Sequence, residues 1–264
     1  MEQRAKKHLG QHFLADPNIL RVIERLADLR ADDVVLEIGP GHGVLTGLLA
    51  DRVARVHAVE IDRTLEPRLR AELGHAANVN VTFGDALQLD VAALAPAPNK
   101  LVANLPYNVA TPIVVELLVG ANTLQAWCVM VQREVADRFF ATPSTKAYGA
   151  VSVMVQLHAE RTGFHPVSRT VFRPPPNVDS ALVAFARRSG PRPGPEVRTI
   201  VQAAFAHRRK TLANALSLTG VAERDASVAA LTSLGIDPAV RAEALPPETF
   251  VVLTEALLGV KGSR

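Results

Sequence analysis

The stretch Glu37-Ile-Gly-Pro-Gly-His-Gly-Val-Leu-Thr46 constrains this chain more than any other segment. An apolar run, Val34-Val35-Leu36, enters it, and a second, Val44 to Ala50, leaves it. That order reads as a strand, a tight glycine turn and a helix start. Glycines at 39, 41 and 43 carry no Cβ, so the backbone can pass very close to a ligand. Glu60 lies 21 positions after Gly39, at the end of a further apolar run, Val56 to Val59. A carboxylate at that spacing reaches the hydroxyls of a bound ribose. The dinucleotide fingerprint needs a third glycine where Val44 stands, and the Gly-Lys-Ser/Thr ending of a phosphate-cradling loop is missing. A nucleoside cofactor without a phosphate grip fits best, and S-adenosylmethionine is the candidate. The plain alternative is a tight turn in any doubly wound domain.

The rest of the chain continues the alternation. Asp16-Pro17 reads as an N-cap and first helical residue, opening a helix to about Asp28. Strands are expected at 33–38, 55–60, 78–83, 99–103 and 125–131, with helices near 43–52, 62–73, 110–119 and 132–140. This βα order predicts an α/β fold: a doubly wound, mostly parallel sheet. Two further strands, 150–158 and 180–186, flank a basic loop. Ser189-Gly-Pro-Arg-Pro-Gly-Pro195 then breaks the pattern as a linker. Beyond it, Val197, Ile200, Val201, Ala204, Phe205, Leu212 and Leu216 recur at helical spacing. The expected domains are therefore 1–188, a linker 189–195, and a small helical domain 196–264.

No apolar run approaches the length of a membrane span. The first ten residues are basic but lack the apolar core of a secretory signal. The lone Cys128 excludes an internal disulfide and sits in an apolar run, as a structural thiol would. Together these point to a cytoplasmic protein without membrane partners. The net charge of +3 is unevenly spread. Residues 161–210 carry ten Lys/Arg against two acids, and the first ten carry Arg4, Lys6 and Lys7 against Glu2. A basic region on a near-neutral chain is a polyanion footprint, and Arg208-Arg209-Lys210 is its densest part. The eight histidines show no ligand spacing with a cysteine, so no metal is expected.

The second chemical motif is Asn104-Leu-Pro-Tyr107, directly after the strand run at 100–103. Ligands in open α/β sheets bind at the carboxyl ends of strands. An exocyclic adenine amine is a poor nucleophile because its lone pair is delocalised into the ring. Two acceptors holding both N6 hydrogens return electron density to nitrogen. The Asn104 amide oxygen and the Leu105 carbonyl can serve, Pro106 stiffens the turn, and Tyr107 offers a ring for a splayed-out base.

With Glu37–Thr46 and Asn104–Tyr107 together, the chain resembles the S-adenosylmethionine-dependent rRNA adenine-N6 dimethyltransferases. Gly10-Gln-His-Phe-Leu14, Phe83-Gly-Asp-Ala86, Phe172-Arg-Pro-Pro-Pro-Asn-Val-Asp-Ser180 and the His207–Leu216 segment fit the same family in the same order. The resemblance is strongest to the small-subunit branch. The large-subunit Erm branch and non-catalytic nucleic-acid-binding relatives are the alternatives. It implies a Rossmann-like methyltransferase sheet and a role for each matching residue. His12, Leu14, Gly39, Gly41, Glu60, Asp85, Ala86 and Asn104 would hold S-adenosylmethionine. Asn104, Leu105, Pro106 and Tyr107 would carry the chemistry. Phe172, presented outward by the prolines after it, would cover the target base on the face opposite Tyr107. Arg4, Lys6, Lys7, Arg208, Arg209 and Lys210 would grip RNA. The implied partner is small-subunit rRNA in an assembling ribosomal subunit, met by a monomer. His12 stands where the family usually has Asn.

Overall fold

The structure, a computed structural model, describes residues 11–14 and 16–261. The chain divides into two compact units, residues 1–136 with 159–187, and residues 137–158 with 188–264. The first unit opens with β1 (Phe13–Leu14) and α1 (Pro17–Ala27). The series β2 (Val34–Ile38), α2 (Val44–Ala50), β3 (Arg55–Glu60), α3 (Glu66–Leu73), β4 (Val79–Phe83), β5 (Lys100–Asn104), α4 (Ala110–Gly120) and β6 (Ala126–Gln132) follows. The chain leaves this unit along α5 (Arg133–Phe139) and, after α6 (Ala150–His158), returns as β7 (Ala159–Val167), β8 (Phe172–Arg173) and β9 (Ser180–Arg187). The second unit holds α6 and then α7 (Pro195–Ala206), α8 (Leu212–Leu218), α9 (Arg224–Ser233) and α10 (Pro247–Lys261).

The strands of the first unit form one seven-stranded sheet in the order β4-β3-β2-β5-β6-β9-β7. The first five run parallel, and β9 lies antiparallel between β6 and β7. The central parallel strands are buried almost throughout, as expected of strands covered on both faces. Strand order reverses between β2 and β5. The segments leaving those two strands, the glycine turn and Asn104–Tyr107, thus emerge side by side at the switch point where such sheets bind ligands. Helix α1 starts as its sequence predicts: Asp16 accepts from the Asn18 amide at 2.7 Å, and Pro17 follows it. Ile19, Ile23 and Ala27, four residues apart, bury one face of α1 in the core beneath the sheet.

Arg187, at the end of β9, closes the far end of the same unit. Its guanidinium donates to the carbonyls of Leu118, Ala121 and Leu124 at 2.9, 2.9 and 2.8 Å, and lies 5.0 Å above the Trp127 ring. It therefore satisfies orphan carbonyls where α4 ends. Replacing it with alanine removes the guanidinium from all three acceptors, of which Ala121 keeps the Leu124 amide, and the expected loss of stability is about 2–4 kcal/mol. Arg187→Lys recovers little of this, because an ammonium lacks the planar fork. A urea titration followed by tryptophan fluorescence checks it, since Trp127 is the chain's one tryptophan.

Two expectations need correction. Residues 150–158, read as a strand, form the helix α6, and the strand is the next segment, 159–167. The run Ala-Val-Ser-Val-Met-Val-Gln-Leu-His is buried on most of its circumference, so its apolar pattern lacks the one-sided helical period. Strand β7 is a partly exposed sheet edge containing Gly163 and Pro166, which made it read as loop. Residues 137–158 also belong to the helical unit, although the sequence division kept them with the sheet. The reason is packing: α6 lies on α7 and α10, and the buried Tyr148 donates to the Leu245 carbonyl at 2.7 Å. Phe205 and Phe250 complete that unit's aromatic core.

Candidate active site

All three glycines of the turn after β2 are left-handed, with φ of 75° at Gly39, 58° at Gly41 and 84° at Gly43. Space forbids a side chain as well: a Cβ on Gly41 would stand 2.9 Å from the Phe13 ring. The Phe13 ring stacks on His42 with centroids 3.6 Å apart, so the segment before α1 lies over the turn. Phe13 belongs to the Gly10–Leu14 motif, yet its sequence alone did not mark it as the residue that meets the glycines. One cavity is lined by this segment, the glycine turn and Asn104–Tyr107.

Glu60, at the end of β3, is buried, and both its oxygens accept backbone hydrogen bonds. Oε1 takes the Asp62 amide at 2.9 Å and Oε2 the Gly41 amide at 3.2 Å. Burial raises its pKa, and these two amides oppose the rise. The glycine turn and the acidic strand end, linked in the sequence by their spacing, are hydrogen-bonded to one another. Asp85 and Ala86 lie in an adjoining cavity that shares Gly39, Glu60, Ile61 and Pro106 with the first. Asp85 accepts from the Leu87 amide at 2.9 Å and opens a short helical turn. Two apolar side chains in this second cavity, Ile61 and Leu87, are 54% and 40% exposed. Neither was picked out in the sequence, because a lone apolar residue carries no pattern.

Asn104 ends β5. Its Nδ2 donates to the His12 carbonyl at 3.0 Å, and its Oδ1 accepts from no described residue. His12 Nδ1 donates to the Pro174 carbonyl at 2.9 Å, and its ring lies 5.3 Å from the Tyr107 ring. The side chain of His12 is thus engaged with protein, and its backbone oxygen is what orients Asn104. Leu14 lines the cavity while pairing with Phe172 across the short β1–β8 ribbon. The Tyr107 hydroxyl is hydrogen-bonded to Ser180 Oγ, and Leu105 and Pro106 line the same wall.

Phe172 departs from its expected placement. Its ring is 1% exposed and sits in the main core with Leu14, Ile19 and Ile23, not outward beside the cavity. Strand pairing with Leu14 turns the side chain inward before the prolines can present it. A ring so buried offers no face to a base.

Glu37, inside the glycine motif but given no role from sequence, is the site's most perturbed group. It is 1% exposed, lines the cavity, and its Oε2 has no hydrogen-bond partner among the described residues. Burial raises its pKa to about 8, with the neighbouring Thr46 opposing and the Glu60 charge adding to the rise. The signal was present, since an acid at a buried strand end is costly, but only the fold shows that it is buried.

Among the basic residues, Arg4, Lys6 and Lys7 lie outside the described residues. Arg208, Arg209 and Lys210 are exposed in the loop after α7, where Arg208 is 3.7 Å from Glu243. Both members of that pair are solvated, so it contributes little. The described residues include no cluster of three or more potential metal ligands and no helix long and apolar enough to cross a membrane. Cys128 is buried in the core, which pushes its thiol up to about 12 and leaves it unreactive.

The described residues resemble solved structures over nearly the whole chain. A dimethyladenosine transferase from Plasmodium falciparum superposes with a TM-score of 0.76 at 24% identity, covering 92% of this chain and 96% of that one. The 23S rRNA methyltransferase ErmE superposes with a TM-score of 0.67 at 31% identity, over 93% and 99%. The sheet order, the glycine turn and the acidic strand end beside it define the Rossmann-like α/β methyltransferase class. A ribosomal RNA adenine dimethylase family model matches residues 2–257. A ribosomal RNA small subunit methyltransferase A from Rubrobacter xylanophilus is 49% identical across 95% of this chain and 94% of that protein, and one from Phenylobacterium zucineum is 43% identical across 96% and 88%. The chain belongs to the ribosomal RNA adenine dimethylase family and is an rRNA methyltransferase.

Proposed function

We propose that this protein transfers methyl groups from S-adenosylmethionine to N6 of adenine in small-subunit rRNA, ending at N6,N6-dimethyladenine. The single observation that carries the reading is Asn104. Its amide nitrogen is held by the His12 carbonyl, which leaves Oδ1 as an acceptor in the cavity beside the glycine turn. A target amine needs an acceptor there, and Leu105 supplies a backbone carbonyl as the second. Pro106 limits the turn's freedom, and the Tyr107 ring, steadied by Ser180, is the stacking surface for the adenine.

The residues present fit the cofactor. The left-handed glycines make a surface without side chains, and the orphaned Glu37 Oε2 is an acceptor for an amino group. Glu60, buried beside Gly41, suits ribose hydroxyls. Asp85 and the Ala86 amide, flanked by the apolar Ile61 and Leu87, suit a flat adenine ring. When bound, S-adenosylmethionine supplies a methyl group on an already activated sulfonium. The protein's own contribution is then alignment and exclusion of water, with no metal and no covalent nucleophile. Phe172 has no part in this reading, and His12 acts through its backbone carbonyl.

Arg208, Arg209 and Lys210, together with Arg4, Lys6 and Lys7, are proposed phosphate contacts. The relatives' small-subunit names support small-subunit rRNA over large-subunit rRNA as the substrate, and a monomer acting on an assembling subunit is part of the same reading. Incubation with labelled S-adenosylmethionine and separately purified, unmodified small and large subunits tests it. Label is expected in small-subunit rRNA, and mass spectrometry of the digested RNA is expected to show dimethyladenine. Label confined to the large subunit, to cytosine or to ribose overturns the assignment.

A further inference from the structure

The loop between β8 and β9 carries chemistry that the site described above does not use. It is anchored at one end by the buried Phe172 and at the other by Ser180. Three prolines, Pro174 to Pro176, restrict its backbone. Two hydrogen bonds converge on its last residue: the Arg133 amide donates to the Asp179 carbonyl, and the Arg169 amide to Asp179 Oδ1, both at 3.0 Å. A third ties its start to the cavity wall, from His12 to the Pro174 carbonyl.

Two cations are rooted on this frame, each connected to Tyr107 through neighbouring residues. Arg173 precedes Pro174, whose carbonyl His12 holds while leaning on the Tyr107 ring. Arg169 is bonded through its backbone to Asp179, the neighbour of Ser180, which holds the Tyr107 hydroxyl. Both arginines are exposed, and neither forms an ion pair among the described residues. The same loop exposes Val178, 47% accessible. Exposed cations and an exposed apolar side chain on one loop frame suit a single strand, which offers phosphates and base faces together. An acidic protein surface would use the cations but not the apolar residue.

We infer that Arg169 and Arg173 hold the RNA strand beside the target adenine by binding its phosphates. This rests on the proposed rRNA adenine reading and adds an RNA-binding surface on the sheet unit, distinct from Arg208–Lys210. The strand is then held next to the base that must leave the stack, which lowers the cost of flipping it.

The test measures affinity for unmodified small ribosomal subunits between 50 and 200 mM salt, a range over which phosphate binding is resolved. Arg169→Gln with Arg173→Gln should reduce the slope of log Kd against log salt by about 1.4, or about 0.7 for each single-strand phosphate no longer neutralised. Cofactor affinity and melting temperature should stay at the wild-type values, and KM for subunits should rise more than kcat falls. The control is Arg68→Gln, an exposed arginine on α3 of the same unit, which should leave the slope unchanged. Wild-type slopes in the double variant overturn the inference, as does an equal drop in Arg68→Gln, which would reduce the effect to general charge. Failure of the wild-type protein to bind or methylate small subunits would instead remove the functional reading itself.

Discussion

Asn104→Ala is expected to reduce methyl transfer by about 100- to 1,000-fold while leaving the sheet unit folded. Deleting one oriented donor or acceptor from a transition state typically costs about 3–4 kcal/mol. Here the amide is oriented in advance: Nδ2 is bonded to the His12 carbonyl, so Oδ1 does not have to be turned toward the amine during the reaction. The alanine variant also loses the tether to His12, at about 1 kcal/mol of stability. That smaller loss should move the melting temperature slightly and cofactor affinity by less than the rate. Asn104→Asp separates the two roles. It retains an acceptor oxygen but sets a carboxylate against the His12 carbonyl, so its rate should lie between those of wild type and alanine. Single-turnover rates at saturating cofactor and subunits measure both variants. An alanine variant within threefold of wild type would show that Asn104 is only a strut.

The second large effect concerns Glu37 and pH. Burial raises its folded-state pKa from 4.5 to about 8, so the free protein carries a protonated carboxyl at neutral pH. The sign for folding follows from that. The folded chain holds this proton more tightly than the unfolded one, so the group's contribution to stability is complete below about pH 4.5 and is lost as pH rises toward 8. Cofactor binding has the opposite sign. An amino group placed against Oε2 is cationic and favours the carboxylate, so uptake of S-adenosylmethionine at pH 7 should release close to one proton. Affinity should rise about tenfold per pH unit toward pH 8. It should then fall as the ligand's own α-amino group, with a pKa of about 7.7–8.0, loses its proton. Calorimetry at pH 7 in buffers of different ionisation enthalpy counts the released proton. Glu37→Gln should abolish the release and flatten the profile below pH 8. Release that persists in the glutamine variant would assign the proton to another group, with Glu60 the neighbour whose pKa is also raised.

The amino-acid sequence by itself determined the features that depend on a few adjacent residues. Three glycines that must take positive φ, a strand run before them and an acid at the next strand's end define the turn wherever it lies in space. The Asp16-Pro17 cap and the long apolar runs of β2, β3, β5 and β6 are of the same kind. Asn104–Tyr107 could be placed at a strand end because the strand before it is unambiguous. Only the tertiary structure decided what depends on distant partners. Phe172 is core and not a stacking ring because Leu14, far away in the chain, pairs with it. Residues 150–158 are helix because α7 and α10 offer a surface that buries them nearly all round, which erases the period that sequence patterns rely on. Glu37 holds a proton because the packed sheet and helix exclude water from it. Phe13 was placed over the glycines, and the His12 carbonyl was brought to the Asn104 amide, only by the folding of this segment across the sheet. Backbone conformation is set by local sterics, so short stretches encode it. Burial, protonation and the facing of a side chain are set by which distant surfaces exclude water around it, and these exist only once the chain has folded.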